Sequence, residues 1–225
     1  MISAVWVGNG KIVLEERGKP VPNENEVLVK VHRAGICATD VHIVQDKLHL
    51  GNPPLVLGHE FAGEIVELGK SVKGITLGQR ICVDAEIGCG TCYHCQKQMF
   101  HLCPQIKEFG INIDGGWQEY ISIPARNAYL LPDTVSYEEA ALLEPLNCTL
   151  GAVERLHIHY GDEVLIFGSG PAGLMYVQLA KLKGAGKIIL VGIQAERQQL
   201  GQELGADVLL NGRDPKLQEK IVQIT

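Results

Sequence analysis

The sequence predicts an α/β protein in two parts. Residues 1–150 read as an all-β, loop-rich domain, and residues 151–225 as the first half of a doubly wound parallel sheet. Three observations predict this. Short alternating apolar runs, punctuated by Gly, Pro and Asn, fill the first ~135 residues. Strand-like and helix-like runs alternate after that. At one strand-to-helix junction lies Gly168-Ser169-Gly170-Pro171-Ala172-Gly173, the pattern G-x-G-x-x-G.

Met1 to Glu16 alternates like a strand. Glu26 to Arg33 (EVLVKVHR) alternates more clearly and reads as a half-buried strand. Phe61 to Leu68 and Arg80 to Val83 are similar. Gly51-Asn-Pro-Pro54, Gly69, Gly74 and Gly78 mark the turns between them. Ser136, with Glu139 three residues on, is a capping-box signal, and a helix extends from it to about His157. Glu163 to Phe167 reads as a buried strand, Pro171 to Lys183 as a helix and Lys187 to Gly192 as a strand. A helix over Ala195 to Leu204, a strand over Asp207 to Leu210 and a helix over Pro215 to Ile224 complete the pattern. This alternation requires parallel strands joined by right-handed crossovers.

Composition excludes several classes. With 46% hydrophobic and 20% charged residues, the chain has enough apolar surface to pack a core, so it is not a disordered protein. No apolar run approaches the ~18 residues that span a bilayer, so no membrane partner is expected. A net charge of −6 opposes binding to a phosphate backbone, so no nucleic-acid partner is expected either. The seven cysteines are an odd number, and no cleavable signal pattern precedes them. That favours reduced thiols and a cytoplasmic location over a disulfide framework.

Four of those cysteines, Cys89, Cys92, Cys95 and Cys103, have the spacing C-x2-C-x2-C-x7-C. Two-residue gaps place successive sulfurs on one side of a turn, and Gly88 and Gly90 allow that turn to form. Four thiolates so arranged make a closed, tetrahedral structural Zn2+ site. Four buried or redox cysteines would be the plainer explanation, but chance rarely produces this spacing.

In the glycine-rich junction, Gly168 permits the tight turn. Gly170 lets the backbone approach a pyrophosphate, and Gly173 lets the helix pack on the strand. Pro171 and Ala172 open a helix whose N–H groups face the phosphates. These features predict a bound NAD(P). An acidic residue ~20 positions on would grip the adenosine ribose. The strand instead ends at Gly192-Ile-Gln194 with no carboxylate, and Arg197 comes soon after. The missing repulsion tips the expectation slightly towards NADP over NAD, with Arg197 as a contact to a 2′-phosphate or simply a solvated helix residue.

Cys37-Ala-Thr39-Asp40-Val-His42, Gly58-His59-Glu60, the four-cysteine knot, Gly116-Trp-Gln-Glu-Tyr120 and Gly168–Gly173 together resemble the zinc-dependent medium-chain dehydrogenases, from end to end of the chain. Glu144-Pro145-Leu146 looks most like the polyol (sorbitol) dehydrogenase branch. The resemblance implies a GroES-like catalytic domain followed by a Rossmann domain. It implies a catalytic zinc held by Cys37, His59 and either Glu60 or Glu144, in addition to the structural zinc. It also implies a zinc-alkoxide mechanism, in which Thr39 and His42 relay the proton and Asp40 orients His59. The substrate would be a small secondary alcohol or polyol, with L-threonine and butanediols as alternatives. A full-length relative would form a homo-oligomer.

Three departures stand beside the matches. Ala38 replaces a common Gly, the strand-end acid is missing, and the sequence stops after the third strand of the sheet and its helix. On this basis the leading expectation is an NAD(P)-dependent secondary-alcohol dehydrogenase. The alternative is a truncated, non-catalytic zinc-binding remnant of one. A metal-bearing interaction or nucleic-acid module is a weaker third reading that the acidic charge opposes.

Overall fold

The alternation at the amino terminus belongs to a hairpin rather than one strand. Strand β1 (Ile2–Gly8) pairs antiparallel with β2 (Lys11–Glu16). Gly8 and Asn9, at φ of +86° and +51°, turn the chain between them. The computed structural model describes residues 1–225. It divides into two units, Met1–Glu144 and Pro145–Thr225. The division falls just after the start of a helix, a few residues before the boundary read from the sequence. No helix is long and apolar enough to cross a membrane.

In the first unit, β3 (Glu26–Ala34), β5 (Phe61–Leu68), β6 (Arg80–Val83), β9 (Tyr120–Pro124) and β10 (Ala128–Leu130) form an antiparallel sheet in the order β10-β6-β5-β3-β9. The hairpin joins the short strand β4 (Leu55–Val56) in a second sheet. Val27, Val29, Phe61, Ile65, Ile81, Ile121 and Ile123 point into one core. They sit at alternate positions of their strands, which is why the periodicity is readable. The β3–β5 pairing slips between Leu28 and Val29 and again between Val31 and Arg33. Such slips bend a strand and re-aim the chain beyond it. In this chain the segment beyond β3 carries Cys37.

The first unit is not purely β. Helix α1 (Ala38–Val44) and the single turn α2 (Tyr93–Gln96) interrupt it. Thr39, Val41, Ile43 and Val44 are β-branched and argue against a helix locally. Capping overrides them, because the Asp40 carboxylate accepts the Cys37 backbone N–H at 2.8 Å and closes the helix start. The strands β7 (Glu86–Ile87) and β8 (Lys107–Glu108) flank α2 as a two-stranded ribbon.

The helix expected from Ser136 to His157 is two helices. Its predicted capping box is present: the Ser136 hydroxyl accepts the Glu139 N–H at 3.1 Å. But α3 (Tyr137–Ala141) ends there, and α4 (Leu143–Leu156) begins after Leu142. Pro145 lacks the N–H that would have continued the helical ladder to Ala141.

In the second unit, β11 (Glu163–Phe167), β12 (Lys187–Gly192) and β13 (Val208–Asn211) are parallel, in that order. Helices α5 (Pro171–Leu182) and α6 (Ala195–Glu203) pack on them, and α7 (Leu217–Ile224) closes the unit. The central strand is buried from Ile188 to Gly192, as its unbroken apolar run predicts. The expectation that β11 is buried needs correcting. Only Ile166 is buried there, and Phe167 is 67% exposed. Within residues 1–225 β11 lies at one end of the three-stranded order, with Val164 and Ile166 packed in the core that α5 covers.

Candidate functional site

Two groups of metal-ligating atoms and one cleft stand out. In the first group, one donor atom each from Cys37, His59 and Glu60 lies within 4.8 Å of the others. Cys37 caps α1 in the loop after β3, and His59 and Glu60 lead directly into β5. Asp40 is fully buried between the two segments. Its Oδ2 accepts the Cys37 N–H, and its Oδ1 accepts the Gly58 N–H at 3.2 Å. The same Oδ1 is 3.4 Å from His59 Nδ1, an ion-pair distance rather than a formed hydrogen bond.

The electrostatics arise from this packing. Burial opposes a charge on His59, but Asp40 and Cys37 outweigh it and raise the imidazole pKa to about 10. The Cys37 thiol is lowered, first by its hydrogen bond with His59. Burial opposes the shift, and the Thr39 backbone and hydroxyl assist it. Burial raises Glu60, the charge on His59 opposes the rise, and Glu144 adds to it. A sulfur, a nitrogen and a carboxylate oxygen converge, with a buried acid behind the histidine. This donor set suits Zn2+ and leaves one tetrahedral position open. Glu144, at the start of α4, stands outside the three-residue group although it acts electrostatically on Glu60. Thr39 is half-buried beside Cys37, and His42 is exposed on α1.

The backbone comes unusually close at two glycines. A Cβ on Gly35 would lie 2.0 Å from Glu60 Oε2. Gly58 adopts φ +89°, and a Cβ there would lie 2.3 Å from Trp117 Cδ1. At Gly58 the ring blocks a side chain, and at Gly35 a side chain would have to displace the Glu60 carboxylate.

The second group is Cys89, Cys92, Cys95 and Cys103, whose sulfurs also lie within 4.8 Å of one another. All four are free thiols, and Cys89 and Cys95 sulfurs are 3.9 Å apart, far beyond a disulfide bond. Backbone N–H groups point at the sulfurs. Cys92 N donates to Cys89 Sγ and Cys95 N to Cys92 Sγ, both at 3.4 Å, and Cys89 N donates to Cys103 Sγ at 3.3 Å. Such donors stabilise thiolate, the form that binds metal. Hydrogen bonds led by the Thr91 backbone pull Cys89 down to about 6, and burial pushes Cys95 up to about 12. Four closed sulfur donors fit a structural zinc.

The cleft lies in the second unit and measures about 390 Å³. Gly168–Gly170 and the end of β12 line it, with Gln194, Arg197 and Gly212. Gly168 sits at φ +101°, and a Cβ on Gly173 would lie 1.8 Å from the Gly168 carbonyl oxygen, so the helix packs as the motif requires. Gly170 caps α5 and Pro171 and Ala172 start it, with no side chain bonded to its N-terminus. These residues fit a dinucleotide pyrophosphate. Arg197 is exposed at the rim.

Sequence reasoning gave no individual role to four contributors. Trp117 bonds the Gly35 carbonyl. Arg126 bonds the Gly88 carbonyl, and Asn127 bonds those of Asp84 and Glu86, so the two hold the strand entering the knot. Ser169 is buried against Gly192. Only Trp117 has a local signal, an aromatic residue directly after two glycines.

This fold, with a four-cysteine knot, a mixed-donor trio and a glycine-rich cleft, defines a zinc- and nucleotide-binding dehydrogenase architecture. The family described as "Alcohol dehydrogenase GroES-like domain" matches residues 23–133, and "Zinc-binding dehydrogenase" matches residues 171–225. The chain belongs to the zinc-dependent medium-chain dehydrogenase family. Sorbitol dehydrogenase of Bacillus subtilis is 36% identical over all of this chain and 65% of its own length. An rspB alcohol dehydrogenase of E. coli CFT073, solved with NADH, superposes with a TM-score of 0.93 at 33% identity, over 100% of this chain and 66% of its own. A zinc-binding dehydrogenase of Sinorhizobium meliloti 1021, solved with NADP, gives a TM-score of 0.89 at 38% identity, over 93% and 61%. The chain thus spans just under two thirds of the length of these relatives.

Proposed function

We propose that this chain supplies the metal-binding and nucleotide-binding parts of an NAD(P)-dependent dehydrogenase that oxidises a secondary alcohol or polyol to a ketone. The observation that carries this is the convergence of Cys37, His59 and Glu60 on one point, with Asp40 buried behind the histidine. When bound there, zinc supplies Lewis acidity that makes a substrate hydroxyl acidic. The protein's own residues do the rest. Cys37 and His59 would hold the metal, and Glu60 would complete the set. Glu144 is the alternative carboxylate. Asp40 keeps Nδ1 of His59 turned away from the ion. Thr39 Oγ1 accepts and passes the proton, and exposed His42 hands it to water. Gly168, Gly170, Pro171, Ala172 and Gly173 seat the pyrophosphate, and Arg197 favours the 2′-phosphate of NADP.

The odd number of cysteines suits a reducing cytoplasm, and a homo-oligomer is the expected state of the whole protein. A secondary hydroxyl is common to the sorbitol and L-threonine that name two of its relatives.

The test is metal analysis and then thermal-shift titration with NADP and NAD. The expected result is two zinc ions per chain and a nucleotide-dependent rise. NADP should outperform NAD, and Arg197→Ala should remove that difference. One zinc ion with no nucleotide response would overturn the reading and favour a zinc-binding module.

A further inference from the structure

The segment Gly116-Trp117-Gln118-Glu119-Tyr120 carries much of the family resemblance, yet it has no part in the chemistry above. We propose that Trp117 is a positioning residue for the metal trio: its indole and backbone tie the loop bearing Cys37 to the segment bearing His59 and Glu60. The proposal rests on the reading that this trio binds a metal.

Trp117 grips both segments at equivalent places. Its Nε1 donates to the Gly35 carbonyl at 2.9 Å, two residues before Cys37. Its backbone N donates to the Leu57 carbonyl at 3.0 Å, two residues before His59. Its ring lies directly on the Gly58 backbone, where even a methyl group would clash. Gly35 N in turn donates to the Glu60 carbonyl at 2.7 Å, so the two ligand segments and the tryptophan form a closed circuit of contacts. The circuit is anchored from outside. Ala4 N donates to the Trp117 carbonyl at 2.8 Å, and the ring packs with Trp6, Ile43, Leu55, Leu57 and Ile111.

Packing alone would be served by any large aromatic ring. The indole N–H is what reaches Gly35. The other tryptophan shows that such a bond is not automatic, since buried Trp6 Nε1 has no partner. Metal ligands must be placed closely, because a tetrahedral ion tolerates little error in donor distance. A single rigid side chain spanning both ligand segments provides that placement at little entropic cost.

The test is Trp117→Phe, loaded with Co2+ and challenged with a chelator. In the wild type, two equivalents should bind, and the four-thiolate knot should keep its ion longer. In the variant, the knot should be unchanged. The second ion should bind roughly 10-fold more weakly, with altered visible absorption bands. The melting temperature of the metal-free protein should shift by no more than about 3 °C. Unchanged affinity and bands would overturn the proposal. Equal weakening at both sites would also overturn it, making Trp117 an ordinary core residue. A wild type that binds only one equivalent would overturn the underlying metal reading instead.

If the variant does not fold, wild-type protein labelled at the indole nitrogens gives the answer, with resonances assigned through Trp6→Phe. The Trp117 N–H signal should move when the second equivalent of Zn2+ binds. No movement would overturn the proposal.

Discussion

The four-cysteine knot and the Cys37–His59–Glu60 trio solve the same problem in opposite ways. The knot takes its donors from one stretch, residues 89 to 103, and its own backbone N–H groups orient them. The trio takes its donors from two separate segments, and both depend on Asp40, Gly58 and Trp117 to meet. A local site carries most of its own scaffold and fails chiefly when a ligand fails. A dispersed site borrows its scaffold from the sheet and can fail through residues that never touch the ion.

The largest expected effect tests the local site. Cys95→Ser should remove one zinc ion and destabilise the first unit by about 4 kcal/mol, because the metal is part of the fold there. Melting should fall by roughly 10 °C in calorimetry. A normal melting temperature with one zinc ion lost would erase the contrast.

His59→Ala should be the mirror image. The second metal should be lost, with at least ~100-fold weaker binding by competition, while the knot keeps its ion. Loss of both ions would mean that the sites are not independent.

A smaller effect is expected from Asp40→Asn, which keeps the shape and removes the charge beside His59. Affinity at the trio should fall by ~10–100-fold. Binding at the knot should not change. An unaffected trio would show that Asp40 serves only the helix cap.

The smallest effect concerns the strand entering the knot. Glu86 sits opposite Glu108 in the β7–β8 ladder. Burial, then Asp84, Glu108 and Glu144, raise its pKa to about 7. The unfolded chain releases this proton near 4.5, so between 4.5 and 7 the folded protein holds more protons than the unfolded one. That contribution is complete below pH 4.5 and is lost as pH rises through 7. Glu86→Gln should flatten this slope and raise the melting temperature at pH 8 by about 2 °C, after allowance for solvent screening. Parallel pH curves for the two proteins would rule the effect out.

The same contrast explains how far the sequence can be read. The knot is legible because its ligands and turn glycines share one stretch. The cradle at Gly168–Gly173 is legible for the same reason. Cys37 and His59 are recognisable only beside other motifs, since nothing local joins positions 22 residues apart. The strands of the central sheet emerge from alternation at Val27, Val29 and Val31, but α1 does not, because its capping by Asp40 overrides β-branched residues. The break at Leu142 has a local signal in Pro145, which the capping box upstream outweighs in a reading by pattern alone.

The contacts at Gly35 and Gly58 have a further consequence for how this protein can change. The space beside each α-carbon is already filled, by the Glu60 carboxylate at one and the Trp117 ring at the other. Randomising Gly58 should return almost only glycine, and a side chain at Gly35 should be accepted only where the Glu60 carboxylate shifts. The loop over residues 45–54 leads through β4 towards His59 and is mostly exposed, although a Cβ on Gly51 would lie 2.1 Å from the Ile111 carbonyl oxygen. Side chains can therefore vary at the exposed positions of that loop while the packing at Gly35 and Gly58 holds the backbone around the metal trio fixed.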